Sequence, residues 1–252
     1  MNGFLRRIIF YALLIAIWEM VFRLHIWEEF LFPAPLSVLQ TLVNGFMDRT
    51  FLIGIAISMR RITIGYGISV IAGILLGLLI GRVKLLDETV GSLVLGLQTL
   101  PSITWLPLAL LWFGLNEKAI IFVVIMGAVF SITIGTYSGV KGVPPLYLKA
   151  GRNRGAQGYQ LFLQVIIPAA LPSIVVGLKQ GWSWAWRSLM AGELLFVSLG
   201  LGFLLMMGRE LNDMSQVIAV MIIIIIIGLV VDKLIFAKLE RNLYERWGLD
   251  LA

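Results

Sequence analysis

Residues 217–231 read VIAVMIIIIIIGLVV, an apolar run without a single charged side chain. A bilayer core is about 30 Å thick and takes roughly 20 helical residues to cross, so this run, extended to residue 236, predicts a membrane-spanning helix. A backbone in hydrocarbon must satisfy its own N–H and C=O groups, which excludes an irregular segment. The fold class indicated is therefore an all-α integral membrane protein.

Further apolar stretches of similar length precede this run along the chain. We predict six spans at about 6–24, 60–81, 90–113, 118–138, 171–196 and 217–236, which together make residues 1–252 a single transmembrane domain. Arg6 and Arg7 precede the first stretch as they would in a signal peptide. Trp18 and Glu19 stand where small cleavage-site residues would be expected, so we interpret the first stretch as a retained span.

The overall composition agrees with an integral membrane protein. Of its 252 residues 60% are hydrophobic and 13% charged, and the mean hydropathy is +0.96. A water-soluble domain carries about twice that share of charge. The absence of cysteine excludes disulfides and thiolate metal sites. The net charge of +6 does not indicate a nucleic-acid partner, because the basic residues lie at the ends of apolar runs rather than on one face.

The distribution of Lys and Arg predicts the orientation. If the N-terminus is cytoplasmic and six spans alternate, thirteen of the 20 basic residues fall on the inner side and six on the outer side, with Arg187 inside a span. This excess satisfies the positive-inside rule. We therefore predict that both termini are cytoplasmic, in a multi-pass protein of the cytoplasmic membrane of a prokaryote.

The segment 139–170 is long, partly polar and cytoplasmic in this topology. Pro145 suits the first turn of a helix, where a missing N–H costs nothing, and Gly155 suits its end, because glycine reaches left-handed dihedral angles without strain. A second amphipathic stretch follows until Pro168 and Pro172, which we expect to interrupt it. The pattern predicts two short helices joined at a glycine.

This segment resembles the cytoplasmic signature loop of ABC importer permeases. In that loop Glu-Ala-Ala, three variable residues and Gly are followed by nine residues and then Ile-x-Leu-Pro. The matching positions here are Ala150, Gly155, Val165, Ile167 and Pro168, while Lys149 replaces the glutamate and Gly151 the second alanine. The spacing of the glycine and the proline is thus kept, and the carboxylate is lost.

The resemblance extends over most of the chain and favours one branch of the family. Phe32-Pro33-Ala34-Pro35, Leu100-Pro101-Ser102, Trp112-Phe113-Gly114 and Ala191-Gly192-Glu193-Leu194 all look like the nitrate, sulfonate and taurine permeases. The resemblance implies a type I importer permease bundle with cytoplasmic coupling helices. It also implies a second permease copy, two ABC ATPase subunits that hold ATP and magnesium, and an extracytoplasmic substrate-binding protein. The chain itself would be non-catalytic and without a cofactor.

The resemblance also implies site residues in the loop. The residues that would couple the chain to the ATPase are Lys149, Ala150, Gly151, Arg152, Gly155, Ala156, Gly158, Tyr159 and Pro168. The small residues among them would allow close approach, and Tyr147, Tyr159 and Phe162 would anchor the loop by packing. The plainer alternative, that the glycines only cap helices, stays open at this point.

A second set of candidates lies in the fifth predicted span, where Arg187 and Glu193 are charged. Intramembrane charge is costly unless it is paired or faces water, so both residues are functional candidates. Their separation of six residues directs them to nearly opposite sides of a helix, and we do not expect them to pair. Arg187 matches a sulfonate or nitrate with its planar guanidinium, or alternatively holds helices together. Trp186 is a candidate for the pathway, and we expect Pro101 and Pro107 to kink the third span.

Two other classes of protein fit less well. A membrane-embedded hydrolase needs a nucleophile with a base or a metal set, and the chain has a single histidine, His25, and no cysteine. A secondary transporter would not need a two-helix cytoplasmic loop. The chain has no Gly-x-x-x-x-Gly-Lys-Ser/Thr sequence and so cannot be the ATPase itself. A permease of the same class for a thiamine precursor or a riboflavin-like solute remains an alternative.

Overall fold

The computed structural model describes residues 3–195 and 199–247, in which all regular structure is helical. The helices, in chain order, are α1 (Gly3–Arg23), α2 (Pro35–Met47), α3 (Thr50–Arg82), α4 (Lys84–Gln98), α5 (Ser102–Phe113), α6 (Glu117–Lys141), α7 (Pro145–Asn153), α8 (Gly158–Leu195), α9 (Leu201–Glu210) and α10, which joins Met214–Val231, a π turn at Asp232–Phe236 and Ala237–Trp247. The predicted all-α class is confirmed.

Among the described residues, α3, α6, α8 and α10 are each long and apolar enough to cross a membrane. Helices α4 and α5 make a fifth candidate if they are counted as one broken span, with a bend of 102° between them. Helix α1 has 21 residues, but Arg6, Arg7 and Glu19 leave at least three charges in any window of span length. The predicted count of six spans is not confirmed and stays a prediction.

Several helices extend beyond the predicted spans. Helix α3 begins at Thr50 rather than near residue 60, and α8 begins at Gly158 rather than near residue 171. The expected interruption at Pro168 and Pro172 is wrong, because α8 continues through both. A π turn lies at Phe162–Ile166, directly before Pro168. It widens the helix where the proline ring would otherwise clash with the preceding turn, so the helix continues.

The described chain forms two compact units. One contains Met1–Ser58 with Glu193–Ile226, and the other contains Met59–Gly192 with Ile227–Ala252. Helix α6 lies at the centre of the second unit, with buried side chains along most of its length. It is therefore the helix against which the other elements of that unit pack.

Glycines bring the backbones of this second unit together. A Cβ atom added to Gly135 on α6 would lie 2.5 Å from Cα of Gly177 on α8, and one added to Gly77 on α3 would lie 2.6 Å from the carbonyl oxygen of Thr133 on α6. Lipid tails are as apolar as leucine, so membrane helices associate through close packing rather than through the hydrophobic effect. The glycines therefore set the spacing of α3, α6 and α8.

We predict that Gly135→Leu destabilises the second unit, because neither backbone can retreat without separating α6 from α8. Overpacking of this kind costs about 1–3 kcal/mol. Thermal unfolding of the purified protein in detergent should show a clearly lowered midpoint. Gly67→Leu is the matched control, since a Cβ at Gly67 meets nothing within 4 Å. Equal midpoints for the two variants would contradict the packing argument.

Candidate functional site

Helix α7 and the start of α8 form a helical hairpin, which we define as residues 144–161. Pro145 stands in the first turn of α7, and the chain reverses after Asn153. The backbone adopts positive φ angles at Gly155 (87°) and Gly158 (51°). The amide of Ala156 donates to the carbonyl of Gly151 at 3.0 Å, which closes the end of α7. Left-handed conformations strain residues with a side chain, so the two glycines allow the reversal.

Gly151 holds the two legs of the hairpin together. It is buried, and a Cβ atom there would lie 2.8 Å from Cδ1 of Leu161 and 2.9 Å from Cγ2 of Val165. Ala156 is half-buried, whereas Ala150 is exposed. Gly151 is one of the small residues expected to contact a partner. In this structure it faces the inside of the hairpin.

The outer surface of the hairpin is basic and partly apolar. Lys149, Arg152 and Arg154 are exposed, and so are the apolar side chains of Leu146 (70%) and Tyr159 (68%). A charged surface that leaves large apolar groups in contact with solvent is typical of an interaction site.

The predicted anchoring of the hairpin by three aromatic residues stays a prediction. Tyr147 is 46% exposed and Tyr159 68% exposed in this chain. Phe162 is half-buried and lies under the guanidinium of Arg82, with 4.8 Å from Cζ to the ring centroid. Pro168 is half-buried within α8.

The bend between α4 and α5 opens a cavity of about 210 Å³ in the second unit. It is lined by Gln98, Thr99, Leu100, Pro101, Ser102, Met126, Gly127, Phe130, Ser131 and Trp184. Polar side chains and freed backbone groups at membrane depth are tolerated where they line such a cavity. Pro101 lies within the break, as expected, whereas Pro107 stands near the start of the regular part of α5 and does not kink it.

Arg187 contacts a residue that lines this cavity. Its side chain is exposed, and its Cζ lies 5.1 Å from the ring centroid of Trp184, which lines the cavity. A guanidinium stacked on an indole is held by a cation–π interaction while its N–H groups remain available as donors. Trp186 instead stacks on Trp182, with centroids 6.2 Å apart, and is only 9% exposed.

Glu193 is fully buried in the first unit, where it stabilises the start of α9. Its carboxylate accepts a hydrogen bond from Oγ of Ser58 at 2.7 Å and another from the amide of Gly202 at 2.9 Å. The same Ser58 hydroxyl accepts a hydrogen bond from the amide of Leu201 at 2.9 Å. A carboxylate at a helix N-terminus satisfies free amides and complements the helix dipole.

Comparison with known proteins identifies the family. Residues 69–241 match the family model described as the binding-protein-dependent transport system inner membrane component. The chain belongs to this family. It is thus a membrane-embedded ABC importer permease subunit, as the resemblance of the signature loop indicated.

Relatives of this permease cover most of its length. A putative ABC transporter permease of Methanocaldococcus jannaschii is 37% identical, over 88% of this chain and 85% of the relative. The putative aliphatic sulfonates transport permease SsuC of Bacillus subtilis is 29% identical, over 96% and 88%. The nitrate import permease NrtB of Synechocystis is 30% identical, over 89% and 84%.

A solved structure of an amino acid ABC transporter has the same fold. It matches with a TM-score of 0.67 at 19% identity, and the match covers 80% of this chain and 97% of that one. The fold of the permease is therefore that of an ABC importer membrane subunit.

Sequence reasoning missed several of the residues that line the cavity. Gln98, Thr99 and Ser131 are polar residues within apolar runs, which was the available signal. The sequence did not indicate that Trp184, and not Trp186, lines the cavity, because that depends on how α8 is rotated against α6.

We predict that Glu193→Ala destabilises the permease, since it leaves the amide of Gly202 and the hydroxyl of Ser58 without their carboxylate acceptor. Loss of a buried acceptor costs about 1–3 kcal/mol for each donor left unpaired. Denaturant unfolding in detergent should show the loss. Glu88→Ala, at a carboxylate that is 62% exposed, is the control. Equal stability of the two variants would contradict the capping role.

Proposed function

We propose that this permease subunit moves a small oxyanion, such as a sulfonate, taurine, nitrate or a bicarbonate-like anion, through the cytoplasmic membrane in an ATP-driven importer. Family membership supports the transport class. The names of the relatives that import sulfonates and nitrate support the substrate class. Within the chain, the observation that carries the proposal of an ATP-driven importer is the exposed hairpin, because its basic and apolar surface can bind an ATPase.

In this proposal the hairpin is the contact with the ATPase. Leu146 and Tyr159 provide apolar area for a protein interface, and Lys149 with Arg152 provides positive charge. Lys149 stands where the family signature has a glutamate, so the charge at this position is reversed. The cleft of the partner ATPase should then be acidic, because complementary charge sets the register of docking.

The rest of the proposed machine follows from the family. A second copy of the chain completes the pathway, two ATPase subunits bind the hairpins, and an extracytoplasmic protein delivers the substrate. ATP and magnesium belong to the ATPase subunits, and this chain performs no catalysis. Both termini face the cytoplasm. ATP and the binding protein drive transport by stabilising different conformations of the pathway.

The cavity at the break between α4 and α5 is the proposed substrate path. Its polar groups, among them Ser102 and Ser131, can donate hydrogen bonds to oxygen atoms. Arg187, stacked on the cavity residue Trp184, adds the positive charge that an oxyanion needs. A guanidinium pairs with a sulfonate or nitrate through two parallel hydrogen bonds, which an ammonium cannot form.

The coupling role is tested with the complete transporter in vesicles, and Gly155 is the residue of choice. We predict that wild-type vesicles take up labelled sulfonate or nitrate only with ATP and the binding protein. Gly155→Val should lose most of this uptake, because a β-branched residue at a φ of 87° is strained by about 1–3 kcal/mol.

The control is Gly155→Asn, which tolerates the left-handed conformation and should keep most of the uptake. Normal uptake and normal ATPase binding by Gly155→Val would contradict the coupling role. Uptake of a thiamine precursor or a riboflavin-like solute, without any uptake of oxyanions, would contradict the proposed substrate class but not the proposal of an ATP-driven importer.

The role of Arg187 gives a separate prediction. Arg187→Gln should raise the KM for oxyanion uptake about tenfold, the equivalent of one lost charge-assisted hydrogen bond of roughly 1.4 kcal/mol, and Arg187→Lys should recover only part of it. The complex should assemble normally in both variants. Arg241→Gln, at an exposed arginine on α10, is the control. Unchanged KM values, or a misassembled Arg187→Gln protein, would favour a purely structural arginine.

A further inference from the structure

A short connection joins α3 to α4 and lies against the two segments that flank the hairpin, the end of α6 and the part of α8 that follows residue 161. It spans residues 82–87, from the last residue of α3 to the fourth residue of α4. Helix α4 then leads to Gln98, where the cavity begins. A movement of this connection would therefore also move α4, the helix that ends at the cavity.

The first contact is between the connection and α8, directly after the second leg of the hairpin. The guanidinium of Arg82 lies over the ring of Phe162, 4.8 Å from its centroid. Phe162 directly follows Leu161, the residue that packs against Gly151. The position of Arg82 is thus tied to the helix that closes the hairpin.

The second contact is between the connection and the end of α6, just before the first leg of the hairpin. Nζ of Lys141, the last residue of α6, lies 2.6 Å from Oδ2 of Asp87. The side chain of Tyr137, one turn earlier on α6, lines the same small cavity as Asp87. Lys141 precedes the hairpin by only a few residues, so Asp87 is held where the first leg leaves the bundle.

Irregular helix geometry coincides with these contacts. Phe162 and Asp87 are each the first residue of a π turn, at Phe162–Ile166 and Asp87–Gly91. The third π turn of the described chain begins at Asp232, whose carboxylate lies 3.3 Å from Nζ of Lys179 on α8. Each π turn of the described residues thus begins where a charged contact reaches another helix. Such turns are frequent at functional sites, and they let a helix change its winding locally.

Helix α4 also has room to move. A cavity of about 140 Å³ lies between α4 and α6 beside Asp87, and it is lined in part by Gly91, Val94, Thr133 and Tyr137. Val94 packs with Ile80 and Phe130, but the void beside it leaves part of this side of α4 less closely packed than the rest.

We propose that the Arg82–Phe162 and Asp87–Lys141 contacts form a mechanical link that transmits movement of the hairpin to α4 and so to the cavity at its end. The inference rests on the proposed function, since it takes the hairpin as the place where the ATPase acts. Asp87 and Lys141 are positioning residues in this link. They touch neither substrate nor nucleotide and act through the helices that they join.

A double-mutant cycle tests the link in vesicles that contain the ATPase and the binding protein. The variants are Asp87→Lys, Lys141→Asp and the two together, and the readout is solute imported per ATP hydrolysed. Each single charge reversal should lower this ratio at least about threefold, because the contact becomes repulsive, and the double reversal should restore it. Copurification with the ATPase should be normal throughout. If Asp87→Lys does not assemble, Asp87→Asn replaces it as the single variant, and an unchanged ratio in Asp87→Asn would then overturn the link.

The matched control is an exposed i, i+4 charge pair on the same helix. Nζ of Lys84 lies 3.7 Å from Glu88, and both side chains are well exposed. Lys84→Glu and Glu88→Lys should leave the ratio unchanged. Unchanged ratios in the Asp87 and Lys141 single variants, or no recovery in the double variant, would overturn the proposed link.

A distance measurement separates this inference from the proposed function. The chain has no cysteine, so spin labels can be attached specifically to Gln160→Cys on the hairpin and Leu93→Cys on α4. We expect the distance within one copy of the chain to be narrowly distributed in the otherwise unchanged protein and in the double reversal, and broadened in each single reversal. Equal widths in all four proteins would contradict the link, even where ATP-driven uptake is intact. Absent uptake together with the expected broadening would contradict only the proposed function.

Discussion

The contact between the backbones of Gly135 and Gly177 is the constraint on which the second unit depends. It lets α6 and α8 approach more closely than any larger residue would permit. Because α6 is buried along most of its length, its position fixes both of its ends. The middle of α6 contributes Ser131 to the cavity, and its last residue, Lys141, holds Asp87 at the base of the hairpin. Close packing of one helix thus relates the cavity to the hairpin.

The sequence predicted those features that depend on local chemistry. Long apolar runs can only be helices in hydrocarbon, and the all-α class followed from them. The helix limits were less predictable, because hydropathy shows where a chain can enter lipid and not where its helix ends. Helix α8 therefore starts at Gly158, although its span was predicted to begin only near residue 171. Pro168 was expected to end a helix, but a π turn ahead of it accommodates the ring.

Features that depend on contacts between distant residues could not be predicted. Glu193 caps α9 together with Ser58, which is 135 residues away in the chain. Sequence reasoning found the charge of Glu193 but not the serine or the amides that hold it. The choice between Trp184 and Trp186 at the cavity depends on the rotation of α8, which the spacing of tryptophans does not determine. The exposure of Tyr159 likewise depends on which surface of the hairpin is left without a neighbour in this chain.

In the proposed link, the Asp87–Lys141 pair acts through its position rather than through its strength. The Asp87–Lys141 pair is partly exposed, and such pairs contribute about 0–1 kcal/mol to stability. In a membrane bundle, an ion pair between two helix ends opposes the separation of the two helices but still allows them to rotate. Asp87 stands at the start of a π turn that faces a void, so the helix beyond it can change its winding without breaking the pair. In the proposed link, α4 can therefore follow the hairpin while the Asp87–Lys141 contact is kept.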